Sequence, residues 1–171
     1  MDNRPTMREY VAQALAEHEG PLLRYANSLC RDMELARDAV QDTFIRLWKV
    51  GEGGMPDRLT SWLYKVCRNR VFEIMRKERR MLPTDPGEIT PVEQAPSPES
   101  VVAEGEDARV LARLVGKLAP REQELIRLKF QNDLSYQEMS EITGLTVTNV
   151  GFILHTVLKN LRRQAALAHG N

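Results

Sequence analysis

Residues 133–163, DLSYQEMSEITGLTVTNVGFILHTVLKNLRR, decide the fold, because they predict a short helix and a longer helix joined by a tight turn. Ser135 and Glu138 have the spacing of a capping box, and Gly144 suits the residue that follows a helix end. A second helix is predicted after Thr146, where apolar residues recur at helical spacing. This order of elements places a recognition helix in the DNA major groove, although it also occurs as an αα-hairpin in helical bundles.

The composition is that of a folded protein with room for one ordinary domain or two small ones in 171 residues. No apolar run reaches the roughly 18–20 residues of a membrane span, and the N-terminus lacks a signal-peptide pattern. We therefore expect a cytoplasmic protein without membrane insertion. Cys30 and Cys67 have no CxxC partner and no nearby histidine, so we expect buried free thiols rather than a zinc site or a redox pair.

The net charge of zero hides an uneven distribution of charge along the chain. Residues 1–82 hold 15 Lys and Arg against 12 Asp and Glu, and residues 108–171 hold nine against five. Residues 83–107 hold seven acidic and no basic side chains, together with five of the nine prolines. This pattern predicts two small, mildly basic domains, 1–82 and 108–171, joined by a flexible acidic linker.

Helical periodicity extends through both predicted domains, and no strand pattern is present, so the predicted fold class is all-α. A first helix begins near Tyr10 and is interrupted or bent at Gly20-Pro21. Further helices are predicted at about 33–50, from Thr60 or Ser61 to about Arg80, and then at about 107–118 and 120–131.

Two helical surfaces are candidates for binding. Residues 65–80 hold seven basic and two acidic residues interleaved with Phe72, and this mixture suits single-stranded nucleic acid, with Asn69 able to read a base edge. Asp38 and Asp42 form an acidic pair that would suit docking of a basic partner helix. Each surface has the alternative explanation of a solvated helix face.

The sequence contains no constellation typical of an enzyme. Its three histidines are scattered, and it has no glycine-rich phosphate loop, nucleophile elbow or metal-ligand spacing. We therefore expect no catalysis, no cofactor and no metal.

Taken together, three segments resemble the extracytoplasmic-function sigma factors of the sigma-70 family of bacterial RNA polymerase. ARDAVQDTFIRLWK, 36–49, looks like the helix that docks on the β′ clamp coiled coil. LTSWLYKVCRNRVFEIMRKERR, 59–80, looks like the region that melts and reads the minus-ten element, and residues 118–163 look like the domain that reads the minus-35 element. The implied partners are core RNA polymerase, through its β′ clamp and β flap, promoter DNA and an anti-sigma factor.

The resemblance implies three sets of site residues, which match family positions. Polymerase would be bound by Asp38, Gln41, Asp42, Phe44 and Arg46. The minus-ten element, with a flipped base near Asn69, would be bound by Trp62, Lys65, Arg68, Asn69, Phe72, Arg76 and Lys77. The minus-35 element would be bound by Ser135, Tyr136, Thr146, Thr148, Asn149, Phe152, His155, Thr156 and Lys159.

The chain departs from the family pattern at two places. Glu73 stands where an Asp is common, and the usual Lys and Arg of the recognition run are Gly151 and Ile153. Because the bidentate guanine contact of an Arg is missing, we expect weak stand-alone duplex affinity with a shallow salt dependence. The bases would then be read by Asn149, by Phe152 in contact with thymine methyls, and by His155. The phosphates would be bound by Lys159, Arg162 and Arg163.

Two other functions are compatible with parts of this pattern. A helix-turn-helix regulator that never engages polymerase would form a stable dimer and bind a palindromic site. An enzyme on a helical scaffold would need a polar cluster that the sequence does not show.

Overall fold

The computed structural model describes residues 5–81 and 105–170, and every regular element within those ranges is a helix. The all-α prediction is therefore confirmed for the described chain. The helices belong to two compact units. Most of the predicted linker 83–107 lies outside the described residues, except that its last residues include the start of a helix at Glu106.

The first unit contains three helices: α1 (Met7–Cys30), α2 (Met33–Gly51) and α3 (Leu59–Met81). Each begins within a few residues of its predicted start. α1 is capped by Thr6, whose hydroxyl accepts a hydrogen bond from the Glu9 backbone while the Glu9 carboxylate accepts from the Thr6 backbone. Asp32 caps α2 in the same way, its carboxylate accepting from the backbone of Glu34 and Leu35.

Pro21 does not interrupt the first helix, contrary to one of the sequence expectations. α1 is continuous through Gly20-Pro21, even though a proline inside a helix costs about 3 kcal/mol. The turn that follows Pro21 carries Leu22, Tyr25 and Ala26, all three almost completely buried. Burial of this turn against the neighbouring helices offsets the lost hydrogen bond, which is an effect of tertiary packing that local sequence does not report.

The core of the first unit is shared by its three helices. Leu22, Leu47 and Leu63 are fully buried, as is the free thiol of Cys67 on α3. The rings of Tyr25 and Tyr64 lie 5.1 Å apart between α1 and α3. This packing fixes which faces of α2 and α3 remain at the surface.

Between residues 105 and 170, the second unit contains four α-helices: α4 (Glu106–Gly116), α5 (Pro120–Ile126), α6 (Tyr136–Thr143) and α7 (Val147–His169). α5 continues directly into a π-helical turn, Arg127–Gln131. α4 and α5 both pack against α7. Buried side chains on α7 recur at the predicted helical spacing: Val150, Leu154, Val157 and Leu161.

The predicted helix-turn-helix is confirmed in its details. Ser135 and Glu138 form the reciprocal capping box at the start of α6, and Gly144 ends that helix with a φ of 76°. Thr146 caps α7, its hydroxyl accepting from the backbone of Asn149 at 3.1 Å. Val147 is 40% exposed, because it is the first residue of α7. The first α7 side chain buried in the core is that of Val150.

None of the helices in the described ranges is by itself long and apolar enough to cross a membrane. α6 and α7 have the required length and composition only as a pair, and that pair is bent by 106°. Helices that pack in the core of a folded domain have the same composition.

Candidate nucleic-acid interface

A basic pocket lies on the exposed side of α3. Its volume is about 460 Å³. The described residues that line it share helical spacing, and they are Arg68, Asn69, Phe72, Met75, Arg76 and Arg79. The pocket therefore combines three guanidinium groups, one side-chain amide and one aromatic ring.

The Phe72 ring lines this pocket between two arginines. The guanidinium carbon of Arg68 lies 4.7 Å from the ring centroid, and the Arg76 Nε donates a hydrogen bond to the Phe72 backbone carbonyl at 3.3 Å. Asn69 is exposed one turn before Phe72. Such a pocket can stack a flat unpaired base, hydrogen bond to its edge and neutralise the attached phosphates.

The pocket contains four of the seven residues predicted for minus-ten binding. Trp62, Lys65 and Lys77 are outside it, with Trp62 half-buried and the two lysines exposed elsewhere on α3. Met75 and Arg79 were not predicted. Their spacing of three and seven residues from Phe72 puts them on the same helix face, and that spacing was the signal available in the sequence.

The polar face of α2 is tied to α3 by an ion-pair cluster. The Arg70 Nε donates to the Asp42 carboxylate at 2.5 Å, and the Arg70 Nη1 lies 3.2 Å from the Glu73 carboxylate. The hydrogen bond with Asp42 raises the pKa of Arg70. Asp42 is thus held by α3, whereas Asp38 and Gln41 are exposed; Arg46 is exposed too, with its guanidinium 3.9 Å from the Glu73 carboxylate of α3. Arg70 was not predicted, because 28 residues separate it from Asp42 and no local pattern joins them.

An apolar groove of about 610 Å³ lies beside this face, between α1 and α2. Its lining is mostly aliphatic and aromatic, with Gln41 and two charged residues among it: Val11, Leu15, Glu19, Leu23, Arg37, Val40, Gln41, Phe44, Ile45 and Trp48. Phe44, predicted among the polymerase-binding residues, is only 6% exposed. It is a core residue whose remaining surface lines the groove, while Ile45 and Trp48 are the exposed apolar groups.

In the second unit, α7 carries the predicted reading residues on its outer surface. The exposed set is Thr148, Asn149, Phe152, His155, Thr156 and Lys159. Ser135 and Thr146, predicted for the same role, have their hydroxyls engaged as helix caps. These two caps fix where α6 and α7 begin.

Tyr136 packs across the recognition helix at Gly151. A Cβ added at Gly151 would lie 3.3 Å from the Tyr136 ring. The Lys129 amine lies 5.5 Å from the centroid of the same ring. A side chain at position 151 would therefore press on this ring and require it to shift by a few tenths of an ångström. The sequence predicted Tyr136 near DNA but gave no sign of its contact with Gly151.

Comparison with known families assigns both units. Residues 15–81 match the model of Sigma-70 region 2, and residues 108–161 match the model of Sigma-70, region 4. Together the two matches include most of the chain and overlap every helix described above. The chain belongs to the extracytoplasmic-function sigma factors of the sigma-70 family. A sigma factor of this kind binds core RNA polymerase and directs promoter recognition and the initiation of transcription.

Individual relatives agree with this assignment. The sigma factor is 24% identical over 169 residues to the RNA polymerase sigma factor SigV of Bacillus subtilis, with 96% of each chain covered. It is 26% identical over 150 residues to the ECF RNA polymerase sigma factor SigL of Mycobacterium tuberculosis, covering 85% of this chain and 83% of that one.

Solved structures share the fold. The sigma factor RpoE of Bartonella quintana, in complex with the anti-sigma factor NepR, matches with a TM-score of 0.65 at 24% identity, over 90% of this chain and 94% of that one. CnrH, in complex with the cytosolic domain of CnrY, matches with a TM-score of 0.61 at 22% identity, over 96% and 91% of the two chains.

Proposed function

We propose that this sigma factor opens promoters by capturing an unpaired minus-ten base in the pocket of α3. The observation that carries the proposal is the convergence of Asn69, the Phe72 ring and three arginines on one cavity of about 460 Å³. Extruding a base from the duplex costs a few kcal/mol of stacking, and a pocket that binds the extruded base turns binding into melting. Arg68, Arg76 and Arg79 neutralise the backbone on either side, with Lys65, Lys77 and Trp62 extending the contact along α3.

We assign a separate role to each of the two domains. Residues 1–82 act as the domain for polymerase docking and minus-ten recognition, and residues 108–171 as the domain for minus-35 recognition and contact with the β flap. Residues 83–107 connect the two domains. The factor acts in the cytoplasm and has no catalytic activity of its own.

The polymerase-docking surface consists of the exposed polar face of α2 and the adjoining apolar groove. Asp38 and Gln41 offer a carboxylate and an amide to the β′ clamp coiled coil, and Ile45 and Trp48 offer apolar surface that is 46% and 42% exposed. Gln41 belongs to both the polar face and the groove, which makes the two surfaces continuous. Asp42 contributes indirectly, because its carboxylate is bound to Arg70.

Docking is tested by pull-down of core RNA polymerase with wild type and Asp38→Arg. We expect the charge reversal to weaken core binding on the order of tenfold or more, because a rim charge facing a basic partner becomes repulsive. Glu17→Arg is the matched control, since Glu17 is an exposed acid on α1 outside the groove lining. Equal loss in both variants, or none in Asp38→Arg, would contradict the docking surface.

Base capture is tested separately, in holoenzyme bound to a promoter found by run-off transcription from a genomic library. Asn69→Ala and Phe72→Ala should lower permanganate reactivity of minus-ten thymines, while holoenzyme assembly is retained. Glu78→Ala on the same helix should leave opening unchanged, because Glu78 is exposed and outside the pocket lining. Normal opening in both pocket variants would exclude the pocket as the site of capture.

Control by an anti-sigma factor is part of the proposal. It is supported by the two similar folds, of which one was solved with the anti-sigma factor NepR and the other with the cytosolic domain of CnrY. Affinity purification of the factor from its native cells should yield such a protein in addition to polymerase. Recovery of polymerase subunits alone, under several growth conditions, would count against this control.

A further inference from the structure

We propose that Phe152 is a specificity residue that binds the 5-methyl groups of thymines in the minus-35 element. This inference rests on the proposed role of α7 in reading that element and adds the chemical feature that is read. It departs from the usual recognition run of the family, in which polar and basic side chains fill the corresponding positions.

Phe152 has the exposure that such a contact requires. Its side chain is 68% exposed, although α7 buries Val150 and Leu154 on either side of it in the core. Thr148 lies one turn before it and Thr156 one turn after it on the same helix face, and both are exposed. A phenylalanine in a polar helical stripe contributes nothing to the core, so its apolar surface is available to a ligand.

The rest of the helix restricts what that ligand is. From Val147 to Leu158, α7 contains no lysine and no arginine, and the first cation is Lys159. At 1.5 Å per residue, Lys159 lies about 18 Å along the helix from its start, so the front of the helix cannot make the bidentate contact to guanine. The thymine methyl is the major-groove feature that an aromatic ring can bind by apolar contact.

Tyr136 reinforces this chemistry beside Phe152. Its ring lies against Gly151 and is 40% exposed, with the Lys129 amine 5.5 Å from the ring centroid. Position 151 therefore presents an aromatic ring from the neighbouring helix where the family commonly presents a lysine. Asn149, exposed one turn before Phe152, is able to pair with an adenine next to such a thymine.

The test uses holoenzyme, assembled from core polymerase and the full chain, on its own promoter. Each minus-35 thymine is replaced in turn by deoxyuridine, which removes only the methyl group and leaves the protein unchanged. We expect promoter affinity of the wild type to fall about three- to fivefold for each contacted methyl. Phe152→Ala should bind more weakly than wild type to thymine-containing DNA and show no further loss with deoxyuridine.

Phe130→Ala is the matched control, because Phe130 is a 60% exposed phenylalanine on the π-helical turn of the same unit. This variant should keep the full sensitivity to deoxyuridine. The inference is overturned if wild type is indifferent at every thymine, if Phe152→Ala remains as sensitive as wild type, or if the element contains no A·T pair. Absence of any promoter-directed initiation would instead refute the proposed function on which it rests.

Discussion

Burial of the Cys67 side chain makes the stability of the first unit depend on pH. Cys67 is fully buried in the first unit, and desolvation raises the pKa of its thiol from 9.0 to about 12. Its position among apolar residues on a helical pattern predicted a buried free thiol, and this is confirmed. Cys30 is also free but half-buried, at the end of α1.

The stability of the first unit should therefore fall as the pH rises above about 9. The unfolded chain then releases the Cys67 proton while the folded chain retains it, so the free energy of unfolding decreases with pH. The limiting slope for one group is about 1.4 kcal/mol per pH unit. Urea unfolding at pH 7, 8.5 and 10 measures this slope, and Cys67→Ala should abolish most of it.

Tyr64 supplies an internal check on that measurement. Burial raises its pKa from 10.0 to about 12, so its own contribution to the loss begins only above about pH 10. A slope of equal size in Cys67→Ala below pH 10 would show that another group is responsible.

Among the elements, the turn between α6 and α7 is the one whose geometry the sequence specified most completely. Ser135, Gly144 and Thr146 are local signals, and each acts through backbone atoms within a few residues. Such signals are readable because capping depends on neighbours in sequence. The continuity of α1 through Pro21 and the link between α2 and α3 were not readable, because both depend on packing between helices.

Gly144→Ala should destabilise the second unit by about 1 kcal/mol. Gly144 has a φ of 76°, and no atom lies within 4 Å of an added Cβ, so the cost is that of the backbone conformation alone. Gly53→Ala is the contrasting variant, because Gly53 has no left-handed backbone conformation and the nearest atom to an added Cβ lies at 3.6 Å. It should change the free energy of unfolding of the first unit by less than about 0.5 kcal/mol, measured by thermal unfolding. An unchanged free energy of unfolding in Gly144→Ala would show that the backbone conformation at this turn does not require glycine.

Arg70→Ala should destabilise the first unit by about 1 kcal/mol or more. Arg70 is only 28% exposed and bridges two carboxylates, so its loss removes the cation hydrogen-bonded to Asp42 and leaves Glu73 with the longer pair to Arg46 at 3.9 Å. Arg37→Ala is the matched control on α2, since its pair with Glu34 has both side chains largely exposed. That variant should change the free energy of unfolding by less than about 0.5 kcal/mol, as measured by urea titration.

Across the whole molecule the net charge is zero, because seven acidic side chains within residues 83–107 balance the excess of basic side chains in the rest of the sequence. We expect this balance to keep the DNA affinity of the free factor low. The all-α fold and the order of helices followed from periodicity and charge patterning. Four of the residues that line the α3 pocket were predicted as well, whereas the groove beside α2 was not, because it requires knowledge of which faces of α1 and α2 pack inward.

Duplex binding by the free factor should show a shallow salt dependence. Lys159, Arg162 and Arg163 supply three phosphate contacts from α7, which corresponds to a slope of about −3 in log K against log salt concentration. Fluorescence anisotropy of the full chain on promoter duplex between about 50 and 200 mM salt measures it. A slope steeper than about −6 would mean that further cations reach the backbone and that the acidic segment does not weaken binding.

The contact between Tyr136 and Gly151 limits how this recognition helix could be re-engineered. A graft of α7 from a relative with lysine at position 151 would force that side chain against a ring that lies 3.3 Å from the grafted Cβ. The ring belongs to α6, so we expect such a graft to fit only when the Tyr136 ring shifts by a few tenths of an ångström or when the α6 residue is exchanged together with α7.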